Sequence, residues 1–274
     1  MDRLERHGFC VLPYANASPL VHFLSQVDPA AELIYRTPRW AVGALLDGTV
    51  DAAIVPVVDY FSHPDLMMIP GLGICADGDV TSVLLQCRRP LSQVRAVQLD
   101  PESRTSNTLV RVLMQNHLRP AGPVEYSMCA PEADACVCIG DRALCAAPAL
   151  ETYDLAGEWK KMTGLPFVFA VWVVRRSYPD VEGIARILRQ ARDRGCESLG
   201  ELARLSAQRL GLPEKRCYEY LANRLHYDVG PAECEGMIRF RQAFAELPQQ
   251  RATRIIDVNP GSGEKQRAPV PKRS

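Results

Sequence analysis

Short apolar strand patterns alternate with helical patterns over residues 8–174, and this alternation restricts the fold more than any other feature. The apolar run at residues 8–12, the helical pattern at 39–46 and the apolar run at 52–55 are examples. Strands that alternate with helices favour a parallel sheet with helices on its faces. We therefore predict an α/β fold.

A chain of 274 residues is long enough to form two lobes. A second alternation of strands and helices begins after Arg88-Arg89-Pro90, and the continuous apolar run PFVFAVWVV at 166–174 suits a return to the first lobe. The sequence after Pro179 has helical spacing throughout. We predict a discontinuous first lobe of residues 1–87 and 173–257, a second lobe of 88–172, and a disordered tail of 258–274.

Charge and hydropathy argue against nucleic-acid and membrane partners. Lys plus Arg equals Asp plus Glu, at 32 each, so no net field attracts the chain to polyanions. Two short helical patterns at 198–221 suggest a helix-turn-helix, but glutamates offset the basic residues, which favours a helical cap on the first lobe. No apolar run is long enough for a membrane span, and the start of the chain lacks a secretory pattern, so we expect a cytoplasmic protein.

Ten cysteines are scattered through apolar and helical segments. Cys136 and Cys138 are the closest pair and would share one face of a strand, but no second Cys or His pair stands at the spacing of a zinc site. The sequence therefore predicts buried free thiols and no metal.

A junction between a strand and a helix at residues 97–113 is the first candidate ligand site. The apolar run ends at Asp100-Pro101, and helical spacing begins among Ser103, Thr105 and Ser106. A helix N-terminus beyond the carboxyl end of a strand favours a carboxylate or phosphate. Ordinary capping of the helix by these hydroxyls is the alternative, and spacing alone favours it.

Asn16 and Ser82 lie in two further candidate positions. Asn16 follows the first strand and offers both a donor and an acceptor, either to a substrate or to its own turn. Ser82 stands in an apolar run, as a strand residue or as a cleft hydroxyl, without the surroundings of a nucleophilic serine. Gly140 and Asp141 end the strand at 136–139, where Asp141 either contacts a ligand or caps the next turn.

Seven blocks together resemble one family, the chorismate dehydratases of the futalosine route to menaquinone. The resemblance covers nearly the full length, and the Ser-Pro-Cys-Pro-Asn-Asp type block that normally begins the sister dihydroxynaphthoate synthases is missing. The blocks are YANASPL (14–20), DAAIVPVVDY (51–60), GICADGDVTSVLL (73–85), LDPESRTS (99–106), CIGDRAL (138–144), YDLAGEWKKMTGLPFVFAVW (153–172) and the pattern at 220–244.

The resemblance implies a two-lobed fold like that of type II periplasmic binding proteins, with chorismate bound in a cleft between the lobes. It implies Asn16 and Ser82 as the polar residues nearest the chemistry, and residues 103–106 as a carboxylate holder. It implies dehydration to 3-[(1-carboxyvinyl)oxy]benzoate without metal or cofactor. Two positions depart from the family pattern: Ala15 replaces a usual leucine, and Val57 replaces a usual serine. The hydroxyl lost at position 57 puts the binding of the substrate at that point in doubt.

A non-catalytic small-carboxylate sensor is the alternative function, because one fold serves both enzymes and binding proteins. The sequence leaves the oligomeric state open.

Overall fold

Ten β-strands form the framework of the part of the chain that the computed structural model describes, residues 6–36 and 38–248. Valine, isoleucine and aromatic residues are frequent in the longer strands, as expected for a pleated, half-buried surface. In chain order, β1 to β10 are His7–Val11, Ala31–Tyr35, Ala52–Pro56, Leu66–Ala76, Val83–Cys87, Ala96–Gln98, Glu125–Ser127, Ala135–Ile139, Glu151–Asp154 and Phe167–Arg175.

The strands form two mixed sheets of five strands each, in the orders β2-β1-β3-β10-β4 and β7-β6-β8-β5-β9. Strand β1 pairs in parallel with β2 and β3, and β6 pairs in parallel with β7 and β8, which confirms the predicted parallel pairing there. Strand β10 is antiparallel to β3 and β4, and β5 is antiparallel to β8 and β9. Each sheet is mixed because it accepts a strand that arrives from the other lobe.

Strand β10 confirms the predicted return of the chain to the first lobe. It lies between β3 and β4, and seven of its nine residues are buried. A central strand covered on both faces reads as a continuous apolar run, which explains the uninterrupted sequence FVFAVWVV.

The predicted lobe boundaries at residues 87 and 172 are wrong by about one strand. Val83–Cys87 pairs in the second sheet, and Phe167–Arg175 lies entirely in the first sheet. The chain crosses between the sheets at 77–82 and again just before Phe167. The turn signal Asp77-Gly78, rather than Arg88-Arg89-Pro90, marks the first crossing. The predicted disordered tail lies outside the described residues.

Helices cover both sheets and form the C-terminal part of the described chain, which confirms the helical prediction after Pro179. A 3-10 turn at Ala15–Ala17 precedes the first helix, and a π-helical turn at Glu219–Arg224 continues the tenth. In chain order, α1 to α11 are Ser18–Val21, Leu24–Val27, Pro38–Asp47, Val57–Ser62, Arg104–Leu113, Gly140–Leu144, Leu155–Thr163, Val181–Glu197, Leu199–Leu210, Glu214–Tyr218 and Pro231–Ala245.

Helix α8 contains Gly195 and continues past it to Glu197. A Cβ at position 195 would overlap the backbone carbonyl of Pro19 in α1. Glycine is therefore present because α8 packs closely on α1, and not because the helix needs a left-handed residue to end.

Helices α9 and α10 join at Gly211, which has φ +67°, and α9 packs against α1 and α8. This arrangement agrees with a helical cap on the first lobe. A cluster of aromatic rings packed edge to face joins the lobes. The ring centroids of Trp159 in α7 and Phe167 in β10 lie 5.6 and 4.9 Å, respectively, from that of Phe240 in α11.

Candidate functional site

A narrow cavity lies where the two lobes meet, near the start of α5 and the 3-10 turn that follows β1. Its walls are mostly apolar, and its polar side chains are hydroxyls, one amide and one carboxylate. Such a surface, apolar with a few convergent polar groups, is typical of small-molecule sites. The lining residues are Leu12, Tyr14, Asn16, Pro56, Ile74, Val80, Ser82, Val83, Glu102, Ser103, Thr105, Ser106, Ile139, Gly140, Phe169, Ala170 and Leu225.

The N-terminus of α5 supplies three hydroxyls to this cavity. Ser103 is the N-cap, because its Oγ accepts a hydrogen bond from the Ser106 amide at 3.1 Å and also donates to Ser106 Oγ at 2.8 Å. The capping alternative is therefore correct for Ser103, although the same residue also lines the cavity. Thr105 and Ser106 are each 2% exposed, and the first turn of α5 carries no acidic residue. This helix end is therefore favourable for an anion.

Asn16 lies in the 3-10 turn on the opposite lobe. Its Oδ1 is buried and has no hydrogen-bond partner among the described residues 6–36 and 38–248. The turn is held instead by Ser18 Oγ, which donates to the Ala15 carbonyl at 2.7 Å, and by the Ala15 amide, which donates to Asp141 at 3.1 Å. Because buried polar atoms are nearly always paired, the unpartnered Asn16 oxygen indicates a place for a ligand rather than a turn cap.

Ser82 is 1% exposed and precedes β5, in the crossing segment rather than within the predicted strand. Its Oγ accepts a hydrogen bond from the hydroxyl of Tyr220 at 2.8 Å, and its carbonyl accepts one from the Gly140 amide at 2.7 Å. Burial raises the pKa of the Tyr220 phenol, so this residue stays protonated at neutral pH. No local signal near either residue could have predicted this pair.

Asp154 fixes the backbone that presents Ser82. Its Oδ2 accepts hydrogen bonds from the amides of Val80 and Thr81, at 3.0 and 2.6 Å. Thr81 has φ +63°, a conformation that is strained for a β-branched residue and that persists only where surrounding contacts hold it. Burial raises the pKa of the Asp154 carboxyl. Sequence analysis did not identify this contact of Asp154.

Gly140 lines the cavity, whereas Asp141 lies beside it. Gly140 has φ +58°, and a Cβ there would come within 3.5 Å of the Tyr14 ring. The carboxylate of Asp141, predicted to bind substrate, accepts from the Ala15 amide and forms an ion pair with Arg209 at 2.7 Å. Both oxygens are engaged by the opposite lobe, so the geometry gives Asp141 the role of a link between lobes.

Tyr14 and Glu102 face each other across the cavity, and sequence analysis missed both. The Tyr14 hydroxyl donates to Glu102 Oε2 at 2.6 Å, which joins the first lobe to the second.

Val57, which replaces the usual serine of the resembled family, is fully buried at the start of α4 and is not among the lining residues. The side chain at position 57 is therefore not part of the cavity wall.

The prediction of buried thiols holds for only some of the described cysteines. Cys10, Cys75, Cys87 and Cys217 are buried, but Cys129 and Cys145 are exposed. Burial raises the pKa of Cys10 to about 11 and that of Cys87 to about 12.

Within residues 6–36 and 38–248, no three His, Cys, Asp or Glu side chains are grouped closely enough to bind a metal. No helix in these ranges is both long and apolar enough to cross a membrane.

A protein-family profile described as menaquinone biosynthesis matches residues 10–246. The chain belongs to this menaquinone biosynthesis family. A curated relative in Thermus thermophilus, named chorismate dehydratase, is 31% identical over 256 residues, which cover 84% of this chain and 92% of the relative. A second chorismate dehydratase, from Campylobacter jejuni, is 35% identical over 123 residues, 44% of each chain. The predicted resemblance to chorismate dehydratases is confirmed.

Solved structures confirm the two-lobed fold of this member of the menaquinone biosynthesis family. Protein AF1704 from Archaeoglobus fulgidus matches with a TM-score of 0.71 and 12% identity, covering 88% of this chain and 97% of that one. The periplasmic aliphatic sulphonate binding protein SsuA from Escherichia coli matches with a TM-score of 0.60 and 15% identity, covering 89% and 94%. The chain therefore has a periplasmic-binding-protein-like fold.

Proposed function

We propose that this protein is a chorismate dehydratase, a carbon-oxygen lyase that removes water from chorismate to give 3-[(1-carboxyvinyl)oxy]benzoate. This is the first step of futalosine-dependent menaquinone biosynthesis. The observation that carries the proposal is the meeting of hydroxyl and amide side chains from both lobes around one apolar-walled cavity. The related chorismate dehydratases support the same reaction.

Aromatisation of the ring drives the proposed reaction. The C3–H bond of chorismate is conjugated through the diene to the ring carboxylate, so loss of this proton gives a delocalised anion. Expulsion of the C4 hydroxyl then completes the aromatic ring. A stepwise elimination fits this acidity, and the protein has to stabilise the spread negative charge with donors that are already in place.

The cavity offers donors suited to a dianion. The N-terminus of α5, with Thr105 and Ser106, suits one carboxylate because its amides and the helix dipole both favour negative charge. Asn16 and Ser82 offer an amide and a hydroxyl from other parts of the cavity wall. Apolar residues such as Leu12 and Phe169 exclude water, which strengthens these interactions.

We infer that the side-chain carboxylate of the substrate itself takes the C3 proton, with Asn16 and Ser82 orienting it. In the second step this carboxyl group returns the proton to the departing C4 hydroxyl, which leaves as water. Among the lining residues described, Glu102 is the one carboxylate, and it is exposed and already accepts from Tyr14. These contacts favour a role for Glu102 in closing the cleft rather than in proton transfer.

Incubation of the purified protein with chorismate tests the proposal. We expect an aromatic product, detected by ultraviolet absorbance and identified by mass spectrometry. Asn16→Ala and Ser82→Ala should each lower kcat about 100-fold or more, as expected for removal of a positioned donor in an apolar site. Wild-type turnover in both variants would remove these residues from the mechanism.

Asn116→Ala and Ser62→Ala provide matched controls. Both side chains donate to carbonyls of their own helical segments, those of Val112 and Val58, and neither lines the cavity. Their turnover should equal that of the wild type. Binding of chorismate without any conversion would instead identify the protein as a sensor.

A further inference from the structure

Tyr220 contacts Ser82 from a part of the chain that is distant in sequence. It lies in the π-helical turn that follows α10, is 2% exposed, and its hydroxyl is 2.8 Å from Ser82 Oγ. It is not among the residues that line the described cavity. We therefore expect Tyr220 to affect a bound ligand through Ser82.

The direction of this hydrogen bond follows from the donors and acceptors available. A phenol is a more acidic donor than an aliphatic alcohol, and the Tyr220 hydroxyl has no other hydrogen-bond partner within residues 6–36 and 38–248. If Ser82 donated instead, the phenolic proton would be buried without an acceptor, which is costly. Tyr220 therefore donates, and the proton of Ser82 remains available to a group in the cavity.

The chain just after the turn that carries Tyr220 is held by the first sheet. The His226 amide donates to the Cys75 carbonyl at 3.0 Å, and the Cys75 amide donates back at 2.9 Å. At Gly73, a Cβ would lie 2.7 Å from a methyl group of Val229, so glycine permits this close packing. π-Helical turns occur frequently at functional sites, where they displace one side chain from the regular helical path.

We propose that Tyr220 is a positioning residue, which fixes the Ser82 hydroxyl as a donor toward the substrate. This inference rests on the proposed function. A hydroxyl that accepts one hydrogen bond is polarised and becomes a better donor in its own right. Removing the Tyr220 hydroxyl should therefore weaken catalysis only while Ser82 is present.

A double-mutant cycle tests this coupling. In the wild-type background, Tyr220→Phe should lower kcat about tenfold, with KM changed less than about twofold, as expected for loss of one buried hydrogen bond that acts in the transition state. In the Ser82→Ala background, the same change should alter kcat less than about twofold. A tenfold loss in both backgrounds, or none in either, would contradict the inference.

Tyr227→Phe is the matched control, because Tyr227 is equally buried and donates to the Leu221 carbonyl at 3.3 Å rather than to Ser82. It should lower the thermal midpoint about as much as Tyr220→Phe and leave kcat unchanged.

If Tyr220→Phe does not fold, 3-fluorotyrosine at position 220 keeps the shape of the side chain and makes its hydroxyl a stronger hydrogen-bond donor. A changed kcat is then expected, and an unchanged kcat contradicts the inference. A wild-type protein that fails to convert chorismate overturns the proposed function, whereas normal conversion with additive variants overturns this inference alone.

Discussion

Gly195 shows how one missing methyl group affects the position of the segment that carries Asn16. It lies inside α8, and the absent Cβ leaves room for the Pro19 carbonyl of α1. Helix α1 follows directly from the turn that carries Asn16. The close approach at Gly195 therefore helps to set where Asn16 lies within the first lobe.

Gly195→Ala should lower the free energy of unfolding by about 1–3 kcal/mol, because α1 must shift to relieve the overlap. A lower kcat should accompany the loss, since the Asn16 turn moves with α1. Chemical denaturation and steady-state kinetics measure the two effects. Gly200→Ala is the control, because a Cβ at that position in α9 meets nothing within 4 Å. Equal stability of the two variants would show that the contact is unimportant.

At the scale of elements, Asp154 joins a helix to a loop through one side chain. Its Oδ1 caps α7 by accepting from the Ala156 and Gly157 amides, both at 3.1 Å. Its Oδ2 holds the strained segment before Ser82. The start of α7 and the position of Ser82 are therefore coupled.

Asp154→Asn should lower the free energy of unfolding by about 1–3 kcal/mol, because an amide offers one acceptor oxygen where four backbone amides need two. The loosened loop should also reduce kcat. Asp180→Asn is the control, because Asp180 caps α8 through a single bond to the Gly183 amide at 2.9 Å, and asparagine is an equally good cap there. If Asp154→Asn kept full activity despite lower stability, the loop would not depend on this carboxylate.

At the scale of the whole molecule, several polar contacts hold the lobes together around the cavity. Tyr14 donates to Glu102, the Val58 amide donates to Thr105 Oγ1 at 3.3 Å, and Arg104 forms an ion pair with Asp59. Each of these contacts joins one lobe to the other. We therefore expect closure of the lobes to assemble the site and to shield it from water.

Tyr14→Phe should raise KM about three- to tenfold and leave kcat nearly unchanged, because loss of one hydrogen bond makes the closed form less favourable. Small-angle scattering of the unliganded variant should show a larger radius of gyration. Tyr153→Phe is the control, because the Tyr153 hydroxyl donates to Glu151 at 2.9 Å within β9 and away from the cavity.

Complete loss of kcat in Glu102→Gln would instead identify Glu102 as the proton acceptor.

Much of the architecture was predictable because strand and helix periodicity are local properties. The alternation of elements, the apolar strand β10 and the hydroxyl-rich start of α5 were all evident from spacing. The resemblance to chorismate dehydratases then indicated Asn16, Ser82 and residues 103–106, and all of these residues except Arg104 line one cavity in the structure. Their catalytic and binding roles stay predictions.

The sequence by itself determined which segments become strands and helices, because hydrophobic spacing acts over one or two turns. Tertiary structure alone decided which side chains meet, as when Tyr220 reaches Ser82 across 138 positions or Asp141 turns to Ala15 and Arg209. It also decided that β5 joins the second sheet and that Gly195 serves contact rather than termination. The physical reason is that these outcomes depend on how distant surfaces pack, which no local pattern encodes.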